Sequence, residues 1–530
     1  MTTEVNSIPS SSTRMILARE ATPGVLPGSP EWFELDVTSF GDFGSDLTLE
    51  SSRVVNQRRR KAGDIVAENV SANFQIEFRP TVVSHLMPAI VQADYLLQPQ
   101  KGTVFDTGLA VVATGYDIGT DAATAGWEVG HLIYAEGFTN SGNNGLKEVT
   151  GTTGDVVEVA GLTVEASPPD TSVIRVVGIQ FGSGELDVVK TGGQYPQLNI
   201  ASGTLDWTNF QLEPGSRVYI DKANGAASNR FVNAENNGYM RVLSISASDL
   251  TIDRADGGAD LTTDMSSETG TGLPIRVFFA DRITDAGSEE DARFNKISHF
   301  IERRLGIPNP AGSPGVAQTE DVLGAILNTA AIQVANQTKS VVDISMIGIQ
   351  GAEHTGEPGD LRATDGATIL DIEQSGFLNN SSHVVRSVLA PYPAASLGDA
   401  APDPLINFVT QYEIALSHQV ALLPAVGRAS GFDVNVNGLI ADITIQNYFT
   451  EIETRKNIRR NDRNQFELAW QRLFNDRTIG VMLDFPRCSL GGGKVEAAID
   501  QTLQQPLTLS AEESEEHDQT MSYNMFWFIP

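Results

Sequence analysis

Two stretches of this chain are written to one plan, and that plan limits the fold more than any other feature. The first runs from Gly44 to Phe78, the second from Leu439 to Phe474. Each opens on an alternating run, Asp46-Leu47-Thr48-Leu49-Glu50 and Asp442-Ile443-Thr444-Ile445-Gln446. Each passes through a basic, polar segment, Arg58-Arg59-Arg60-Lys61 and then Arg455-Lys456 to Arg463. Each closes on a second alternating run, Ala72 to Phe78 and Asn464 to Trp470. Alternation with period two belongs to a strand with one buried face and one wet or lined face. A strand–basic loop–strand unit written twice predicts one β domain used twice.

The rest of the chain agrees with a mainly β class. Its 49 glycines and many Asn, Asp and Thr clusters break it into short runs joined by turns. At 530 residues with 41% hydrophobic content, the chain is long enough for several domains with sizeable cores. The net charge of −31, from 36 basic and 67 acidic residues, argues against a protein that grips nucleic-acid phosphates. It suits equally a soluble surface and one that must not hold a polyanion. One cysteine, Cys488, permits no disulfide within the chain and fits assembly in a reducing cytoplasm. No signal peptide pattern and no apolar run long enough to span a bilayer are expected.

Residues 1–13 read as a flexible, Ser-rich arm. Thr81 to Val91 predicts an amphipathic helix with Thr81 as its N-cap and Pro88 kinking it or ending its first turn. From about Phe105 to Thr284 the text changes. Two units share an order of short strands and an Asn-Asn-Gly, at 143–145 and 236–238, that reads as a hairpin turn. They predict two small inserted β-barrels, at 121–182 and 203–284. The host domain then comprises 14–104 and 285–355, and a second host-like domain comprises 356–530.

Little catalytic chemistry is on offer. None of the seven histidines (His85, His131, His299, His354, His383, His418, His517) stands in a metal-ligand spacing, so each reads as an ordinary core or surface histidine. Gly491-Gly492-Gly493-Lys494 lacks the Ser or Thr and the helix of a phosphate loop. Asp253-Arg254-Ala255-Asp256-Gly257 lacks the ordered ligands of a calcium loop. No catalytic residue, cofactor or metal is predicted, and the chain is not read as an enzyme. The basic segments carry more: Arg58, Arg59, Arg60 and Lys61, and Arg455, Lys456, Arg459, Arg460 and Arg463, read either as solvated hairpin tips or as docking elements for acidic surface on a neighbouring subunit.

The opening Glu20-Ala21-Thr22-Pro23-Gly24 with Pro30-Glu31-Trp32, the Gly44–Phe78 unit, Ser298-His299-Phe300-Ile301-Glu302, and the Ile443–Phe474 unit with Phe485-Pro486 resemble the tail tube (major tail) proteins of siphovirus-type, long-tailed bacteriophages. The resemblance covers the residues outside the insertion. It implies a duplicated tail-tube β-sandwich domain with a flanking helix, carrying the two small barrels outside a tube. It implies stacked rings around a DNA-conducting channel, in the virion tail, assembled in the cytoplasm of a host bacterium. Two domain copies per chain imply a ring of three chains with pseudo-sixfold symmetry, with six chains as the alternative. Implied partners are the chain itself, other tail proteins such as tape measure, terminator and tip, and DNA in transit without tight binding, with no membrane insertion. Glu50, Gln75, Glu77, Gln446, Gln465 and Glu467 become the channel-lining candidates. The competing expectations are a capsid or tail decoration or tail-tip structural protein and, against the scattered five tryptophans, a β-rich carbohydrate-active enzyme.

Overall fold

The computed structural model describes residues 13–51, 63–102, 108–203, 205–222, 229–258, 260–272, 274–305, 318–371, 376–393, 398–405, 408–450, 452–474, 477–497 and 502–530. The fold is mainly β, with two α-helices among the described residues. The chain runs from strand β1 (Arg14–Arg19) into a long hairpin, β2 (Val37–Ser51) and β3 (Gly63–Glu77), and then helix α1 (Pro80–Val91). The next segment holds β4 (His131–Glu136), β5 (Gly145–Glu148), β6 (Val173–Phe181), β7 (Arg217–Ile220), β8 (Gly238–Ile245), β9 (Asp249–Arg254) and β10 (Ile275–Phe279). There follow β11 (His299–Arg304), β12 (Thr319–Ala335), β13 (Val341–Gly348), β14 (Gln350–His354), β15 (Val384–Tyr392), β16 (Val409–Ser417) and β17 (Ile440–Tyr448). Helix α2 (Glu453–Arg460), β18 (Arg463–Phe474), β19 (Arg477–Gly492) and β20 (Ser522–Ile529) complete the framework.

Two compact units result. The first takes the chain up to Asp94, Asp285–Ser381 and Thr410–Gln446; the second takes Tyr95–Thr284, Ser382–Val409 and Asn447–Pro530. The second repeat of the sequence is thereby shared, its first strand in one unit and its second in the other.

In the first unit an antiparallel sheet runs β2–β3–β13–β12–β16, with β17 beyond β16. Alternation sorts its faces. Phe74, Ile76, Ile344, Ile332 and Ile414 are buried on one side, and the intervening residues are polar. Strand β12 is long enough to serve two sheets. Its second half pairs β13 and β16, and its first half pairs β11 and β14, with a register shift between Leu327 and Thr329. An extra residue at such a point bends the strand and lets it leave one sheet for another. Helix α1 buries Val82, Val83, Leu86, Met87, Ile90 and Val91, the stripe its spacing predicts. Its start differs from expectation. Arg79 holds the cap position and Pro80 the first helical position, where a missing N–H costs nothing, while Thr81 is buried at the second. Pro88 neither ends the first turn nor stops the helix, which continues to Val91.

The Glu20-Ala21-Thr22-Pro23-Gly24 opening has a local reason. Glu20 is buried and accepts three hydrogen bonds, from Gly24 N (2.8 Å), Gly324 N (2.9 Å) and Ser298 Oγ (2.6 Å). A buried carboxylate needs such donors, and here they fasten the opening turn to β12.

In the second unit a sheet runs β15–β18–β19–β20, and β20 pairs the strand Asp281–Thr284. The segment 95–284 carries two apolar cores. One contains Leu109, Tyr116, Trp127, Ile133 and Ile174; the other contains Phe181, Leu198, Trp207, Val218, Met240 and Val277. The first core begins upstream of residue 121. Their strands are not separate, because β6 pairs β10 and joins both modules into one eleven-stranded sheet.

The two Asn-Asn-Gly sequences occupy matching structures, and they are more than turns. In both, a single 3-10 turn ends on the first Asn, Asn143 or Asn236. That Asn donates to a backbone carbonyl (Thr163 or Ser266) and to a carboxylate (Glu165 or Glu268). The second Asn, Asn144 or Asn237, clasps the backbone of Phe138 or Phe231 through both N–H and C=O. The following Gly145 and Gly238 sit at φ +91 and +97, a region that favours glycine. The shared text is therefore Phe-x-Asn-x-x-Asn-Asn-Gly, at 138–145 and 231–238, with a Glu partner 22 residues after Asn143 and 32 after Asn236.

Candidate assembly surface

Each unit carries a polar sheet face, and the two faces differ in fate. In the first unit Gln75 stands opposite Asp343 and donates to its Oδ1 at 2.7 Å, while Gln333 donates to Oδ2 at 2.7 Å. Glu413 stands opposite Gln333 on β16. Glu77 closes the row, paired with Arg79 at 3.0 Å and Lys339 at 2.5 Å. Partial burial works to raise the Glu77 carboxyl, but Lys339 and Arg79 override it and hold it below its usual range. Gln446, on β17, is half-buried and alternates with the buried Ile443 and Ile445. Carboxylates and amides thus line this side, with its cations at the Glu77 end.

Glu50 lies elsewhere, on the projecting end of the β2–β3 hairpin, opposite Asp64. Strand β3 pairs a third strand, β13, only over Val70–Glu77. From Glu68 outward the hairpin is a two-stranded ribbon, braced at its root by Gly351 N and Ala429 O on Glu68. Beyond that root Leu49 faces Ile65 across the strands, 67% and 50% exposed, with Leu47 and Val66 also exposed. An isolated ribbon of this kind is marginal in water, and exposed apolar pairs along it favour cover by another surface.

Arg58, Arg59, Arg60 and Lys61 lie outside the described residues. The second basic segment is a helix, α2, where a loop was expected. Its inward residues are Thr454 and Asn457, too polar to mark an amphipathic period in the text. Lys456 pairs Glu453 at 2.8 Å, and Arg460 pairs Asp462 at 2.8 Å. Arg463 belongs to β18 and pairs Glu512 at 2.6 Å. Arg455 and Arg459, one turn apart on α2, have no ion-pair partner among the described residues.

In the second unit the corresponding face is covered, which corrects two expectations. Gln465 and Glu467 are fully buried and do not face a channel. Arg217 reaches Glu467 at 2.6 Å and Asp484 at 2.9 Å. Arg386 binds Glu467 at 2.7 Å and Asp256 at 2.5 Å. Arg241 binds Asp253 at 2.7 Å, Asp484 at 3.3 Å and Gln465 Oε1 at 3.1 Å. Burial works to raise the Glu467 carboxyl, and the Arg217 and Arg386 guanidiniums override it, holding it far below the usual carboxylate range. The fourth arginine, Arg254, is bound by Ala401 O, and burial together with the Arg241 charge lowers it to about 10. Strands β7–β9 thus bring cations onto a sheet face that, from local alternation, reads as open.

A further buried carboxylate stands in the first unit. Asp321, on β12, is 1% exposed, and neither carboxylate oxygen has a hydrogen-bond partner among the described residues. His354 Nε2 lies 3.4 Å away, and Glu302 stands opposite on β11. Burial, and then the Glu302 charge, raise the Asp321 carboxyl from 3.8 to about 7. A carboxyl raised by folding favours the folded state while it is protonated. That contribution is complete below the unfolded value and is lost as pH rises toward 7. Asp321→Asn is therefore expected to stabilise the first unit at pH 8 and to change it little at pH 4. Denaturation midpoints of both proteins at the two pH values check this; parallel curves would count against it.

Cys488 is buried, and burial pushes its thiol up and away from reactivity. No described helix is long and apolar enough to cross a membrane. No protein-family model matches this chain, and no curated protein matches it at a significant level.

Proposed function

We propose that this chain is a structural tail tube protein of a siphovirus-type bacteriophage, polymerising into stacked rings around a DNA-conducting channel. The observation that carries the reading is the β2–β3 ribbon, two strands that outrun their sheet and carry the exposed Leu49–Ile65 pair. A copy of the same chain is the natural cover for it, since closed rings satisfy strand edges and apolar tips by repetition. In this reading the channel face belongs to Gln75, Glu77 and Gln446, joined by Asp343 and Glu413, and Glu50 belongs to the ribbon contact. An acidic and amide-rich lining lets a polyanion pass without gripping it. Arg455 and Arg459 suit the acidic surface of an adjacent ring. The tube domain is proposed as duplicated, with three chains per pseudo-sixfold ring, and the modules of 95–284 as small barrels carried outside.

Electron microscopy of the purified chain, with class averages along the particle axis, tests this. Rings or tubes with threefold symmetry and six similar lobes are expected. True sixfold rings would keep the function and remove the duplication. Monomers that never polymerise on concentration would remove both.

A further inference from the structure

The strongest feature outside the assembly surface is a cluster of ligand-type side chains in the second unit. Asp253 on β9, Glu516 and His517 each bring one ligand atom, and these atoms all lie within 4.8 Å of one another. Glu516 and His517 belong to the tight turn before β20, closed by Ser514 N to Gln519 O at 2.9 Å and Asp518 N to Ser514 O at 2.7 Å. The turn buries the imidazole of His517 to 1% exposure and leaves Glu516 at the surface.

We propose that Asp253, Glu516 and His517 form a binding site for one divalent cation of the zinc class. Three observations carry it. The His517 Nδ1 is 3.0 Å from Ser514 Oγ, the kind of outer contact that fixes a ligating ring and leaves Nε2 as the donor atom. Among the described residues that buried Nε2 has no hydrogen-bond partner, and its nearest charged neighbour is Asp253 Oδ2 at 3.2 Å. A spacing near 3.2 Å with the wrong angle for a hydrogen bond is what two ligands on one ion present. Bonds of about 2.1 Å at the tetrahedral angle of about 109° place their donor atoms about 3.4 Å apart, close to that spacing. The carboxylates are also held in place: Arg241 donates at 2.7 Å to Asp253 Oδ2, the oxygen that faces His517, and the Tyr392 hydroxyl donates at 2.7 Å to Glu516.

One imidazole nitrogen with two carboxylates suits zinc, cobalt or manganese better than calcium or magnesium, which take oxygen shells. The Arg241 charge opposes a cation, but it is already shared with Asp253 and Asp484, and Glu516 supplies a further negative charge at the open side. A bound ion would pin the turn before β20 to β9, and so tie the end of the chain to the module of 203–284. The inference stands without the tail tube reading.

The test uses the full chain, stripped with EDTA and dialysed, then titrated with Co²⁺ and back-titrated with Zn²⁺. One saturable equivalent of cobalt, with visible absorption that zinc abolishes and a raised melting temperature, is expected. Glu516→Gln changes only an exposed ligand, so it should melt as the parent does in EDTA yet bind cobalt at least about tenfold more weakly, no less than an outer-contact change produces. His517→Gln should bind none. Absence of a saturable site, or parental affinity in Glu516→Gln or His517→Gln, overturns the proposal.

Discussion

A chain carrying Glu467→Ala fails to keep its second unit folded under conditions where the parent is stable. The substitution strands Arg217 and Arg386, both buried, each with one of its two carboxylates gone. Removing one partner of a buried ion pair costs about 3–5 kcal/mol, a large share of a domain's whole stability. Chemical denaturation followed by a second-unit tryptophan, Trp470 or Trp207, should show the loss. Glu467→Gln keeps two acceptor–donor contacts at most and removes the charge, so its loss should be smaller. The same exchange on the open face, Glu413→Gln, should be within about 0.5 kcal/mol of the parent. If Glu467→Ala proved as mild as Glu413→Gln, the charge network would not be holding β7–β9 to β18 and β19.

The double substitution Leu49→Asp with Ile65→Asp has the opposite character. Both side chains are exposed in the single chain, so folding and melting temperature should scarcely move. Assembly should be abolished, because burying two new carboxylates in an apolar contact is prohibitive without partners. Light scattering of parent and variant over a concentration series measures this. Tubes that form equally well from the variant would show that the ribbon tip is not an assembly contact. Leu49→Met with Ile65→Val should assemble, and so separates loss of apolar surface from any change at these positions.

Much of the β framework was legible because its cause is local. The alternation of Asn73-Phe74-Gln75-Ile76-Glu77 appears in the structure as a strand with Phe74 and Ile76 inside, and the stripe from Val82 to Val91 appears as helix α1. The cap of α1 lies two residues before Thr81, at Arg79, because Pro80 takes the first helical position. The fate of Gln465 and Glu467 was illegible for a different reason. Alternation states that two faces exist, not what covers them, and the counter-charge Arg217 lies 250 residues away from Glu467. The same distance hid the Asp253 and His517 pairing, since each residue alone looks ordinary. Asn143 and Asn236 were visible as a repeat, but their side-chain clamp was not. Glu165 and Glu268 lie 22 and 32 residues downstream of their Asn, so unequal spacing hid the shared partner.

The segment 95–284 enters and leaves its unit through neighbouring strands, for Leu96 and Arg282 exchange backbone hydrogen bonds at 2.7 and 3.1 Å. By geometry alone it is a cassette, removable by joining two adjacent ends. Its charges set the consequence. Excision takes away Arg217, Arg241 and Arg254 together and leaves Glu467 and Asp484 with only Arg386 nearby. A shortened descendant would show both carboxylates to water, as the first unit shows Glu413, so the module's arginines are what turns an open acidic face into a buried one.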